Sequence, residues 1–273
     1  MKYSMLYDGG LGDFILRMFE GGGYATLNNL QPGDICDIHI VAHNPFCREL
    51  WEWHPKRAQL NLIVYPWVRV KENHEIRTIN NIPPDVYPPP CSDKPEIYPS
   101  PEDLQVLDVL SKTERLKPFV VISAVAGEDS RNISQYNLGL MVPYLQEKGY
   151  DVVAVGRSFK RMFGKGDEFV YGFNQQVISL IDKLTIPGTM KLLEQAAIVI
   201  SCHSSVPLMN WFTCRKPSLV FYPSKIAKED IHEVDNKIIK LDTEDCYTFG
   251  RKFPETQVCF NENFNLAVLD RML

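Results

Sequence analysis

The chain opens on an apolar run, Tyr3-Ser4-Met5-Leu6-Tyr7, passes through glycines, and then carries apolar residues at helical spacing (Phe14, Ile15, Met18, Phe19). A short apolar run, a glycine turn and a helical period predict strand, tight turn and helix. Glu20-Gly21-Gly22-Gly23 ends that helix. Asp34 to Ala42 reads as the next strand. Asn44, an N-cap, and Pro45, at the first helical position, open a short helix carrying Phe46, Leu50, Trp51 and Trp53. Leu60 to Val64 is a third strand, so the first hundred residues alternate strand and helix as an open, largely parallel sheet requires.

Residues 82–101 hold eight prolines and exclude a helix or a central strand. They read as an extended loop wrapping the first domain or as a stiff connector, and Tyr87 and Tyr98 favour a segment that packs. A helix follows over 102–114 with Leu104, Leu107 and Leu110 on its apolar side, and the alternation restarts. Pro118 to Ala124, Asp151 to Val155, Phe169 to Tyr171, Ile198 to Ser201 and Lys216 to Tyr222 read as strands. Tyr136 to Lys148, Thr189 to Ala197, Val206 to Cys214 and Asn261 to Leu273 read as helices. The expected fold is α/β, two Rossmann-like doubly wound domains with a ligand in the cleft between their strand ends.

Composition adds bounds. The 273 residues are 45% hydrophobic and 23% charged, as in ordinary soluble domains. A net charge of −5 gives no general attraction for nucleic acid or anionic membrane. Seven cysteines without a CxxC pair fit reduced thiols, and Met1 leads straight into the first strand without a signal-peptide pattern. No run of about twenty apolar residues spans a membrane. The expectation is a cytoplasmic protein without a transmembrane segment.

Asp13 is the first candidate for chemistry. An acid behind a glycine turn is either the N-cap of the helix or a general base at the mouth of a cleft. His39 and His43 lie four apart in one strand, but no third ligand stands at a metal-binding spacing, so no metal is expected. His43, at the strand's C-terminal end, is the better candidate for a ligand contact. Trp51, Trp53 and Trp67 read as core rather than as a stacking platform. In the second half each strand ends in groups suited to phosphate: Ser123 and Arg131, then Gly156, Arg157 and Lys160, then His203-Ser204-Ser205 opening a helix. Hydroxyls, cations and the N–H groups of a helix N-terminus together make a diphosphate cradle.

Gly10-Leu11-Gly12-Asp13 resembles the GxGD opening of the lipopolysaccharide heptosyltransferases, glycosyltransferase family 9. Cys47 to Pro55 leading into Leu62-Ile63-Val64 resembles that family's helix, proline, strand passage. Thr189 to Ile200 resembles the helix that leads into its donor-site strand, and Lys216-Pro217 its Lys-Pro before the next strand. Ser201 to Ser205 stands where the family has Asn-Asp-Ser-Gly, with His203 at the acid and Ser205 at the glycine, and Leu208 falls at a downstream histidine.

The resemblance implies the GT-B arrangement, two Rossmann-like domains facing across a cleft, and inverting transfer of a sugar from a nucleotide-sugar donor without metal or cofactor. It implies an acceptor-side domain over 1–110, a nucleotide-sugar domain over 111–255, and a C-terminal helix within 256–273 packing back on the first domain. Asp13 would be the catalytic base. Gly10, Gly12, Ser123, Arg131, Gly156, Arg157, His203, Ser204 and Ser205 would serve the donor, and His43 the acceptor side. The acceptor would be a carbohydrate or glycolipid. One rival is a phage-type DNA glycosyltransferase acting on a hydroxymethylated base, for which Lys56, Arg57, Arg69, Lys71 and Arg77 supply a basic run. Another is a non-catalytic nucleotide-binding module. A dehydrogenase is disfavoured, because Gly12 is followed by Asp-Phe-Ile and not by the third glycine of GxGxxG.

Overall fold

The computed structural model describes residues 1–20, 23–42, 45–66, 73–91, 95–112, 118–126, 131–157, 177–222, 238–240, 246–249, 256–260 and 264–273. The chain forms two compact units, Met1–Pro101 with Thr185–Gly188, and Glu102–Leu184 with Thr189–Leu273.

The first unit contains β1 (Lys2–Gly9), α1 (Leu11–Glu20), α2 (Gly23–Thr26), β2 (Ile35–Ala42), α3 (Glu49–Glu52), β3 (Leu60–Tyr65) and α4 (Asn73–Asn80). Its three strands are parallel in the order β1-β2-β3. β1 and β2 are almost continuously buried because both faces of the sheet are covered, and they carry the buried polar residues Ser4, Asp8, Asp37 and His39 among their apolar ones. On one face Met5 stands beside Ile38 and Tyr7 beside Ile40, and Trp51 packs there with its ring 5.1 Å from Tyr7 and 6.1 Å from Phe14. Trp51 is therefore core, as expected, whereas Trp53 is exposed and Trp67 lies outside the described residues. The other face packs Leu6 and Val41 against Ile76 of α4 and against Ile82.

The proline-rich segment wraps this unit. Ser4 and Val86 exchange both backbone hydrogen bonds, at 3.0 and 2.8 Å, along the edge of β1 that β2 does not use. Asp85 accepts the Leu6 N–H at 2.8 Å and pairs with Arg77 at 2.6 Å, and the Asn29 amide donates to the carbonyls of Pro89 and Pro90.

The second unit begins with α5 (Pro101–Ser111), shorter than expected, on which Leu107 and Leu110 are buried but Leu104 faces solvent. It continues with β4 (Phe119–Ser123), α6 (Gln135–Glu147), β5 (Asp151–Ala154), β6 (Ile178–Ser179), α7 (Ile186–Leu193, whose residues from Thr189 on belong to this unit), β7 (Ile198–Cys202), α8 (Ser205–Thr213) and β8 (Ser218–Tyr222). Then come β9 (Ile238–Lys240), β10 (Cys246–Phe249) and β11 (Thr256–Phe260), which the sequence pattern did not predict. The expected strand over 169–171 lies outside the described residues. The sheet runs β6-β5-β4-β7-β8-β11-β10-β9, parallel from β6 to β11 with β10 and β9 antiparallel at one edge. From β4 the chain winds outward through β5 and β6, then returns to β7 and β8 on the opposite side, the doubly wound pattern.

Two local boundaries differ from expectation for clear reasons. α7 starts three residues early because the Thr185 hydroxyl accepts the Gly188 N–H at 3.2 Å and Pro187 suits a first turn. The described C-terminal residues contribute to the core of the second unit. Val268 and Leu269 of a short helix (Ala267–Asp270) enter the second core, and Phe264 lies 5.2 Å from Phe221. The Asp270 carboxylate accepts the Tyr144 hydroxyl and pairs with Lys148 at 2.9 Å. Residues 256–260 form strand, not helix.

Candidate functional site

The candidate residues gather in two places, one in each unit. In the first, β1 ends at Gly9 (φ +99°) and α1 begins at Leu11, so Asp13 is the third residue of the helix and not its N-cap. Its Oδ2 reaches back to accept the Gly10 N–H at 2.9 Å, while the Gly10 carbonyl accepts the Phe14 N–H at 3.1 Å. This is the acid half of a capping box, which uses one carboxylate oxygen to satisfy the first free donor of the helix. Asp13 is exposed, so the carboxylate is both held and accessible. Behind the turn the buried Asp8 forms an ion pair with Arg17, one helical turn beyond Asp13. Gly10 lies half-buried in the turn and Gly12 half-buried in the first turn of α1. The glycine that the backbone requires is Gly9, which sequence reasoning passed over, although the Gly9-Gly10 pair was the signal for it.

In the second place, β5, β4 and β7 end side by side. Adjacent strands lie about 4.8 Å apart, so three neighbouring ends span about 10 Å, a scale suited to a diphosphate. The order reverses between β4 and β7, where open α/β sheets take ligands beyond the strand C-termini. Ser123 is opposite Ser201 in register and is buried, so its hydroxyl belongs to the sheet interior; the half-buried Val125 and Ala126 follow it at the rim. The loop after β4 is tied at both ends, Ile133 N–H to the Ala124 carbonyl at 2.9 Å and Ala126 N–H to Asn132 Oδ1 at 2.8 Å. The tie brings Arg131 to the end of β7, near enough for its charge to act on the Cys202 thiol. Burial pushes that thiol up to about 12, against the smaller opposite effects of a Ser204 hydrogen bond and Arg131.

At the end of β5, Gly156 has φ +144° and its carbonyl accepts the Asp182 N–H at 3.0 Å; the half-buried Arg157 is next to it. After β7, the His203 N–H is taken by the Phe221 carbonyl at 2.9 Å. Ser204 is the N-cap of α8, its Oγ accepting the Val206 N–H at 3.4 Å, and Ser205 opens the helix. Asn210, buried on α8, holds the turn into β8 by accepting the Lys216 N–H at 3.0 Å and donating to the Lys216 carbonyl at 2.7 Å. That contact accounts for the Lys-Pro position structurally.

Other candidates separate from these. His39 is buried inside the first sheet, its Nδ1 2.8 Å from the Tyr65 hydroxyl, and burial lowers its affinity for a proton; it is a core histidine. His43 and Lys160 lie outside the described residues. Among the described residues no group of three or more His, Cys, Asp or Glu could hold a metal ion, and no helix is long and apolar enough to cross a membrane.

No protein-family model matches the chain, and no curated protein matches it in sequence. A glycosyl transferase family 9 structure from Veillonella parvula superposes with a TM-score of 0.54 over 99% of this chain and 95% of that one, at 11% identity. The chain shares the fold of that structure. Heptosyltransferase WaaC of E. coli, solved with ADP-2-deoxy-2-fluoro heptose, gives 0.49 over 99% and 98% of the two chains at 11% identity. The ADP-heptose lps heptosyltransferase II of E. coli gives 0.48 over 81% and 85% at 13% identity. Asp13 thus lies in the first turn of α1, and Gly156, Arg157, His203, Ser204 and Ser205 follow the C-terminal ends of β5 and β7.

Proposed function

We propose that this chain is a glycosyltransferase that moves a sugar from a nucleotide-sugar donor to an acceptor hydroxyl, with inversion and without a metal. The observation that carries the reading is Asp13: an exposed carboxylate fixed through the Gly10 N–H in a chain that shares the fold of a family 9 structure. In one displacement the acceptor oxygen attacks the anomeric carbon as Asp13 takes its proton, and the bond from that carbon to the diphosphate oxygen breaks. The single step inverts the centre. Negative charge grows on the leaving nucleoside diphosphate, where Arg131, Arg157, His203 and the N–H groups at Ser204 and Ser205 would stabilise it. Gly156 leaves room for the nucleoside. The reaction would run in the cytoplasm.

A carbohydrate or glycolipid acceptor is favoured over DNA by the basic run. Lys56 Nζ is bonded to the Leu30 carbonyl at 3.0 Å, Arg57 to the Leu60 carbonyl at 2.8 Å and Glu52 at 3.7 Å, and Arg77 to Asp85. Arg69 and Lys71 lie outside the described residues. Cations committed to the protein's own carbonyls and carboxylates have less to offer phosphates.

The test is a panel of nucleoside diphosphates and nucleotide sugars, scored first by thermal shift and then by release of nucleoside diphosphate. Wild type is expected to turn over one donor. Asp13→Asn is expected to abolish turnover and keep the donor's thermal shift. Near-normal turnover by Asp13→Asn would remove Asp13 from the role of base, and binding without turnover in wild type would leave a nucleotide-binding module.

A further inference from the structure

Gly9 has no assigned part in the chemistry, yet its surroundings constrain it more than those of Gly10. It is the last residue of β1, held in register opposite Ala42 of β2. On one side of it Asp8 is tied to Arg17, and on the other Gly10 is bonded to α1 through both its N–H and its carbonyl. The Gly9 peptide therefore has little freedom to move. A Cβ at this position would stand 2.7 Å from Asp13 Oδ2, 3.0 Å from its Cβ and 3.2 Å from its Cγ. A Cβ at Gly10 would be 3.4 Å from the same oxygen, an ordinary contact. The Asp13 carboxylate lies in the space that any side chain at residue 9 would fill.

We propose that Gly9 is the positioning residue for the Asp13 carboxylate, a role that rests on the reading of Asp13 as the base. With the backbone clamped on both sides, the 3.0 Å contact with the Asp13 Cβ is fixed by α1, and the part that can swing clear of a Cβ is the end of the Asp13 side chain, its Oδ2 and Cγ. Rotating it away breaks its bond to the Gly10 N–H and takes the carboxylate off the line of the acceptor proton. Positive φ alone does not explain the residue: Gly33 has φ +88° with nothing within 4 Å of where its Cβ would lie. Gly33 thus isolates backbone strain from displacement.

The experiment combines a stability cycle with kinetics. Melting temperatures are measured for wild type, Gly9→Ala, Asp13→Ala, the double variant and Gly33→Ala. Gly9→Ala is expected to cost more than Gly33→Ala in the wild-type background and to cost less once Asp13 is alanine, where the 2.7 and 3.2 Å contacts are gone and only the 3.0 Å contact with the residue-13 Cβ remains. Nucleoside diphosphate release from the donor that wild type uses is then compared. A misplaced base costs about a hundredfold in kcat, while the donor KM of Gly9→Ala is expected to stay close to that of wild type, as is Gly33→Ala activity. Equal losses for Gly9→Ala in both backgrounds, or a kcat no lower than that of Gly33→Ala, would overturn the role of Gly9 while leaving Asp13 as base. A wild type that releases no nucleoside diphosphate from any donor overturns the catalytic reading, and the positioning role with it, even where the stability cycle shows coupling.

Discussion

His54 sits between two tyrosines, Tyr24 and Tyr98, whose rings meet its own nearly edge-on at 5.3 and 5.2 Å. Its Nδ1 accepts the Lys56 N–H at 3.1 Å, which puts the proton of the neutral ring on Nε2. Burial, and then the Lys56 charge, pushes it down to about 4 from an ordinary value of 6.5. As pH falls through 6.5 the unfolded chain takes up this proton first, so folding stability declines until pH reaches about 4 and this group then adds no further loss. The decline from this group alone is about 3 kcal/mol. Urea midpoints between pH 7 and pH 4 would record it, and His54→Gln is expected to flatten the profile. At the same scale, Asp13 was legible as an acid behind a glycine turn, but its place in the helix was not. Whether the first helical residue is Leu11 or Phe14 depends on the reach of one side chain back to Gly10. The positive φ of Gly9 was within reach of the glycine pair, but its contact with Asp13 was not: that constraint is a distance to a side chain four residues away, and no local propensity encodes it.

Among the elements, the 82–101 segment does the work of an additional strand in the first sheet without being one. Prolines cannot donate to a ladder, so the segment pairs with β1 through a single non-proline position, Val86, and supplements it with the Asp85 side chain. Asp85→Ala leaves the Leu6 N–H without its acceptor and Arg77 without its carboxylate, a loss of about 2 kcal/mol. Hydrogen exchange at the Leu6 amide, faster in the variant, and a lower urea midpoint would both report it. The strands and helices of the two alternating halves were legible because apolar runs and helical periods are local signals. α4, with Ile76 as its buried anchor and polar neighbours, carries too short an apolar stripe to stand out. β11 was missed because Thr256 to Phe260 becomes a strand by lying parallel to β8, a partner more than thirty residues away. The C-terminal helix was legible as helical, but the core it joins was not, since four residues with Val268 and Leu269 as their buried pair carry no signal of which partner they meet.

For the whole molecule, net charge and cation pairing point the same way. A chain at −5 whose described basic-run residues are engaged internally is expected to show no duplex DNA binding at low salt; binding that falls steeply as salt rises would restore the DNA reading. The clustering of the candidate residues at the second sheet was legible as a recurring pattern at strand ends, because the winding of such sheets sends those ends to one side. The burial of Ser123 was not, since it depends on a neighbouring strand closing over it. The proline-rich segment has one more consequence. The β1 edge it covers is the kind of exposed backbone along which separate molecules join. A fragment ending at Asn81 would present that edge bare and is expected to form thioflavin-positive aggregates, while one ending at Pro101 stays soluble under the same conditions. The prolines act as a terminator, keeping the first strand from serving as a template for the next molecule.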